Sequence, residues 1–334
     1  MPRIKTDMVT GQTQPATWQQ TIIDRIRAGK LVPIISNMVS DDLVLGGHAA
    51  LVDAYAVYSR YPLEQKKDLA QMAQFKSITD DRITDTLALK DDYVNFIKNR
   101  LFDLAVTSGA GKAIQDEVEA QFDTLNCAQF CRQLGYPSFA QDHTHPFLLL
   151  AAFDLPIYIT TGYHNFVEMA LQQAGKTPRT EICRWHQDLE EIPAVLDGTY
   201  QPSKAEPLVY HLHGFDQYPD SLVLTEDDYL KFLVATSQNI GRETDPVHKR
   251  IRQAMSDSSL MLLGYSLRDW DLRSLFWGLI APRTRPLTSA IAIQLEPTEI
   301  EKLYLQKYLD SFEFKVYWGD IRAYMQELYQ SLQG

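Results

Sequence analysis

The strongest constraint on this chain is a series of short apolar runs set between helical stretches. Residues 31–35, 156–161, 208–213, 260–263, 290–293 and 312–317 are each rich in β-branched, aromatic or leucine side chains. Runs of that length, bounded by turn residues, read as buried strands, because a core helix of the same composition would be longer. Pro33 is a local objection, since proline cannot donate to a strand ladder. Buried strands alternating with helices are what a parallel sheet requires: each crossover traverses the sheet, and the helices then cover both faces. The expected class is therefore α/β, doubly wound, with a mainly parallel sheet.

A chain of 334 residues exceeds the length at which a single core usually stops growing, so an insertion or a second domain is expected. The long stretch between the first two strands carries helical periodicity, for example Tyr93, Phe96, Ile97, Arg100, Leu101 and Leu104. We assign residues 1–15 to a flexible N-terminal arm, 16–40 and 146–334 to the sheet-bearing core, and 41–145 to a helical insertion subdomain. The first helix, over residues 17–28, should stop at Gly29, which adopts the left-handed conformation without strain.

Composition narrows the function. Apolar residues make up 45% of the chain, which excludes a dominantly disordered state. With 32 Lys+Arg against 43 Asp+Glu, the net charge of −11 argues against nucleic-acid binding by this chain alone. No apolar run approaches a bilayer-spanning length, and the N-terminus lacks a signal peptide's apolar centre. Three cysteines are too few for a disulfide framework, so a cytoplasmic protein without membrane contact is expected. Cys127 and Cys131, four apart, read as two thiols on one apolar helical face. The segment Asp142-His143-Thr144-His145 supplies no third ligand of known position, and no metal is expected.

Ligands of open α/β sheets bind beyond the carboxyl ends of the strands, so the segments after each strand matter most. They are Ser36-Asn37-Met38-Val39-Ser40, Gly162-Tyr163-His164-Asn165, Gly214-Phe215-Asp216 and Gly264-Tyr265-Ser266-Leu267-Arg268-Asp269. Acidic residues at helix starts, Asp269 and Asp271 and the run Glu226-Asp227-Asp228 after Thr225, are explained as caps that meet the positive end of a helix.

Four stretches together resemble the sirtuin-like (silent information regulator-like) domains of bacterial antiviral defence proteins, which consume NAD+. They are Leu31-Val32-Pro33; residues 155–161 followed by Val167-Glu168; His211-Leu212-His213-Gly214 with residues 221–229; and residues 262–270. The resemblance runs from about Ile22 to about Val316. It implies a Rossmann-like core and a site for NAD+ or an ADP-ribose-like ligand built from Ser36, Asn37, Ser40, Thr161, Gly162, Gly214, Gly264, Ser266 and Asp269. It also makes His213, facing the rim, the candidate base, because an imidazole titrates near neutrality. His164 is a weaker candidate for ordering water.

The active-site pattern is degenerate. The family has Gly-Ala-Gly-Val-Ser after the first strand, where glycine lets backbone amides approach a pyrophosphate. Here Ser36 and Met38 replace both glycines, and neither tolerates positive φ well. After the second strand the family has Thr-Thr-Asn-Tyr-Asp, whereas this chain has Thr160-Thr161-Gly162-Tyr163-His164, with Asn165 displaced. Simultaneous loss of the glycines and the amide favours a non-catalytic role in ligand binding or assembly with a protein partner or a second copy. The alternative is an NAD+ glycohydrolase that uses His213. Deacylation ranks last, because no four-cysteine zinc module is present.

Overall fold

In a computed structural model, residues 16–62, 68–139, 142–266, 270–280, 291–295, 302 and 314–334 are described. The N-terminal arm at 1–15, the proline-containing turn at 281–286 and Asp269 lie outside the described residues. Seven parallel strands form one sheet in the order β3-β4-β2-β1-β5-β6-β7. They are β1 (Leu31–Ile35), β2 (Ile157–Thr160), β3 (Arg179–Ile182), β4 (Leu208–His211), β5 (Ser259–Leu263), β6 (Ile291–Leu295) and β7 (Phe314–Trp318). The doubly wound parallel sheet expected from the apolar runs is therefore present.

The helix α1 (Ala16–Arg27) precedes β1 and gives way to Gly29 at φ 64°, the left-handed stop expected there. Pro33 sits inside the central strand, but the ladder to β2 begins only at Ile34, past the ring that cannot donate. β3 was not anticipated: Arg179, Thr180 and Glu181 make a polar edge strand with no apolar run to mark it. Edge strands are paired on one side only, which removes the demand for continuous apolarity.

Among the described residues between β1 and β2 are seven α-helices: α2 (Asn37–Leu43), α3 (His48–Tyr58), α4 (Leu69–Thr79), α5 (Thr86–Thr107), α6 (Lys112–Ala120), α7 (Cys127–Leu134) and α8 (Pro146–Ala151). Their buried side chains, Tyr55, Leu89, Ile97 and Phe130 among them, share one apolar cluster with Ile35, Tyr158 and Met261 of the sheet. The opposite sheet face carries Ile34, Ile159, Tyr210 and Leu262 and packs on α10 (Glu226–Gln238) and α11 (Lys249–Asp257) through Phe232 and Ile251. Neighbouring strand residues thus feed opposite cores, as the period of two dictates. After β2 comes α9 (Phe166–Gln173), after β5 comes α12 (Trp270–Leu275), and the helix Ile321–Gln333 ends the chain.

The chain leaves β1 toward β2 and leaves β5 toward β6, on opposite sides of adjacent strands. The crevice at the carboxyl ends of β1 and β5 is therefore the topological switch point, where this architecture places ligands. Among the described residues, no helix is long and apolar enough to cross a membrane.

Candidate functional site

At the end of β1 the backbone continues its ladders before turning: the Ser36 amide donates to Leu263 O at 3.0 Å and the Thr161 amide to Ile35 O at 2.9 Å. Ser36 then caps α2 with φ −68° and ψ 151°, and its hydroxyl accepts from the Met38 amide at 3.2 Å. The Asn37 amide donates to Thr161 Oγ1 at 3.0 Å. This corrects one expectation: Ser36 is in ordinary extended geometry and Met38 lies inside a helix, so neither occupies a left-handed position.

The centre of the crevice is Asp271, 3% exposed, which a reading as a helix cap had passed over. Its Oδ2 accepts from Thr161 Oγ1 at 2.7 Å and lies 3.4 Å from Ser36 Oγ; its Oδ1 accepts from the Tyr229 hydroxyl at 2.7 Å. His213 Nδ1 stands 3.3 Å from the same Oδ1, within ion-pair reach but off the line of a hydrogen bond. Burial alone would raise the Asp271 carboxyl, but His213, Thr161 and Tyr229 outweigh it and hold it below its ordinary value. No sequence pattern announces such a hub, because an acid in a first helical turn has a sufficient local explanation.

His213 itself is fully buried, 0% exposed, rather than facing the rim. Its Nε2 lies 3.3 Å from Ser274 Oγ on α12, and its ring sits edge-on to Tyr229 and Phe232. The physical reason is the short stretch after β4, which turns at once through Gly214 and keeps His213 under α10 and α12. Over this cluster, Tyr229 and Trp270 stack with centroids 6.1 Å apart.

The remaining predicted residues scatter around this centre. A Cβ on Gly162 would lie 3.3 Å from Ser40 Oγ and 3.8 Å from Asn37 Cα, so Gly162, Ser40 and Asn37 do meet at the start of α2. Gly214, at φ 94°, has Ser221 O where a Cβ would stand, and Gly264, at φ 70°, has Val39 Cγ2 there. Both glycines serve close packing of the chain on itself. Ser266 is partly buried after β5. His164 turns to Asp216, with Nδ1 to Oδ2 at 2.6 Å, and Asn165 starts α9 with its Oδ1 buried. The adjacent opening has a volume of about 40 Å³ and is lined by residues that include Asn37, Met38, His48, Asp68, Trp270 and Asp271.

Below the rim, His211 is buried with Nδ1 2.8 Å from Gly162 O and Nε2 2.9 Å from Glu168 Oε1. Both ring nitrogens face acceptors, an arrangement that suits an imidazolium. Burial would lower this group, yet the Glu168 carboxylate and the Gly162 carbonyl prevail and raise it. The loop after β2 is thereby fixed from beneath.

Comparison with known proteins bears on this crevice. Residues 156–316 match the SIR2-like domain family, a span that includes Thr161, His213 and Asp271. A stretch of 131 residues is 26% identical to the NAD(+) hydrolase ThsA of Bacillus cereus (strain MSX-D12), covering 39% of this chain. The match spans 24% of that relative's length.

Proposed function

From a chain that carries a SIR2-like domain at residues 156–316, we propose a defence-type protein in which the sirtuin-like fold serves a non-hydrolytic role. It holds an ADP-ribose-like ligand weakly, or assembles with a protein partner or a second copy of itself in the cytoplasm. The observation that carries this reading is the state of the first amides of α2: Thr161 Oγ1 occupies the Asn37 amide and Ser36 Oγ the Met38 amide. Amides that a glycine loop would offer to a pyrophosphate are engaged by the protein's own hydroxyls.

Two further facts support the reading. An opening of about 40 Å³ is far below the roughly 300–1,000 Å³ of small-molecule pockets. Its lining also presents Asp68 and Asp271, which repel the dianionic pyrophosphate of such a ligand. A ligand with a pyrophosphate is therefore held weakly at best in this arrangement.

A second reading, an NAD+ glycohydrolase, is favoured by one observation: His213 keeps a buried carboxylate at 3.3 Å, a pairing that orients an imidazole base. Calorimetric titration with NAD+ and with ADP-ribose, followed by nicotinamide release on the same sample, tests the two. No turnover is the expected result. Release that disappears in His213→Ala establishes the hydrolase instead.

A further inference from the structure

Three donors distant in sequence converge below the rim, away from Asp271. A Cys127 sulfur, a His164 ring nitrogen and an Asp216 carboxylate oxygen all lie within 4.8 Å of one another, and all three residues are buried. They come from separate elements: Cys127 opens α7, His164 follows β2, and Asp216 follows β4. The convergence is not a simple ion pair. His164 Nδ1 engages Asp216 Oδ2 at 2.6 Å, while Asp216 Oδ1 is buried with no nitrogen or oxygen donor facing it among the described residues, the Cys127 thiol being the group that bonds to this carboxylate besides His164. A thiol is a weak donor, so a carboxylate that is 1% exposed is under-satisfied by it, and a cationic ligand would relieve that cost.

From this convergence we infer that Cys127, His164 and Asp216 form a structural zinc site, with Cys131 one turn along α7 as the fourth donor. The donor set decides the metal. Sulfur and imidazole nitrogen beside a single carboxylate suit zinc and exclude the hard cations calcium and magnesium, which take oxygen cages. Tetrahedral zinc with bonds of roughly 2.0–2.3 Å holds its donors roughly 3.3–3.8 Å apart, so the His164–Asp216 pair, 2.6 Å apart, opens to admit the metal, and any pair near the 4.8 Å limit closes by about 1 Å. Cys131 is buried on the same helical face as Cys127, outside the three-residue cluster, and turns in to complete the tetrahedron. Zinc binds thiolates, so its uptake releases the thiol protons.

The site would clamp α7 to the loops after β2 and β4, the loops that carry Gly162 and His213. The inference is independent of whether the crevice binds a nucleotide. It departs from the expectation of no metal because residues 127, 164 and 216 have no sequence spacing that announces a ligand set.

The test uses the full chain, expressed in zinc-supplemented medium and analysed for metal by mass spectrometry. About one zinc per chain is expected, reduced to background in Cys127→Ser and in Asp216→Asn, and retained in Cys183→Ser. Chelator-treated wild-type protein titrated with Co²⁺ should show a thiolate charge-transfer band with tetrahedral d–d absorption, and its melting temperature should rise on zinc addition. This second measurement decides the matter if the variants do not fold. Wild-type protein without zinc, a featureless Co²⁺ titration, or zinc retained by Cys127→Ser each overturns the proposal.

Discussion

Thr161 Oγ1 donates to Asp271 Oδ2 at 2.7 Å while accepting from the Asn37 amide at 3.0 Å, so one hydroxyl ties the ends of β1 and β2 to the start of α12. The link closes the switch-point crevice from within. Removing its acceptor strands the Thr161 and Tyr229 hydroxyls in a buried site, each at a cost of about 1–3 kcal/mol. Asp271→Ala should therefore lose several kcal/mol in urea denaturation. A loss below 1 kcal/mol would mean that the network is not coupled to folding.

The depressed Asp271 carboxyl also fixes the sign of an acid effect. A group whose folded value lies below its unfolded one stabilises the fold above the unfolded value, near 3.8, and loses that contribution as pH falls through the folded value. As pH falls from about 5 to below 3, wild type should lose more stability than Asp271→Asn. Equal slopes in paired denaturant series would remove Asp271 from the account of acid sensitivity.

His211 predicts the opposite slope. Its folded value is raised above the ordinary 6.5, so its stabilising contribution is complete below that pH and is lost as pH rises through the folded value. Wild type should weaken on the alkaline side of neutrality, and His211→Gln should flatten that dependence. Because the pair with Glu168 is buried, the substitution itself should cost about 3–5 kcal/mol. Melting temperatures across the neutral range supply the check.

The two glycines that follow β4 and β5 separate packing from ligand binding. A Cβ on Gly264 would meet the Val39 side chain at 2.2 Å, whereas on Gly214 it would meet the Ser221 carbonyl oxygen at 2.2 Å. Both alanine substitutions should cost about 1–3 kcal/mol from strain at positive φ and overpacking. Adding Val39→Ala should recover part of the loss for Gly264→Ala, since a side chain can be shortened. Gly214→Ala strikes backbone, and Val39→Ala should do nothing for it. A double-mutant cycle with no coupling between positions 39 and 264 would contradict the close approach.

These residues also explain what was legible in the sequence. The strands announced themselves because β1, β4 and β5 are buried along their whole length and therefore apolar throughout. β3 did not, because Arg179 and Thr180 lie on an edge that needs no such run. Thr225 read correctly as a cap, since its bond to the Asp228 amide is local and the capping box has a fixed spacing. Asp271 had the same local signature, yet its partners Thr161, Tyr229 and His213 are distant in sequence, and only tertiary structure distinguishes a hub from a cap. His213 was found by resemblance, but its burial depends on α10 and α12 closing over it.

The occupied amides of α2 lead to the last expected outcome. If Ser36 and Thr161 hydroxyls take the place of a pyrophosphate, returning the family's residues should restore affinity. A variant with Ser36→Gly, Met38→Gly and Gly162→Asn frees the Met38 position and supplies an amide beside Ser40, where a Cβ at 162 meets Ser40 Oγ at 3.3 Å and Thr160 Oγ1 at 3.1 Å. Glycine in place of serine at the cap costs only a few tenths of a kcal/mol, whereas glycine at position 38, inside α2, costs about 1 kcal/mol. The fold should tolerate the change. ADP-ribose should then bind at least tenfold more tightly than to wild type in calorimetric titration, a gain of about 1.4 kcal/mol. Adding Thr161→Val, which removes the acceptor from the Asn37 amide, should increase it further. A folded triple variant with no gain in affinity would show that the crevice is closed by Tyr229 and Trp270 rather than by the hydroxyls, and would move the search for the ligand away from β1.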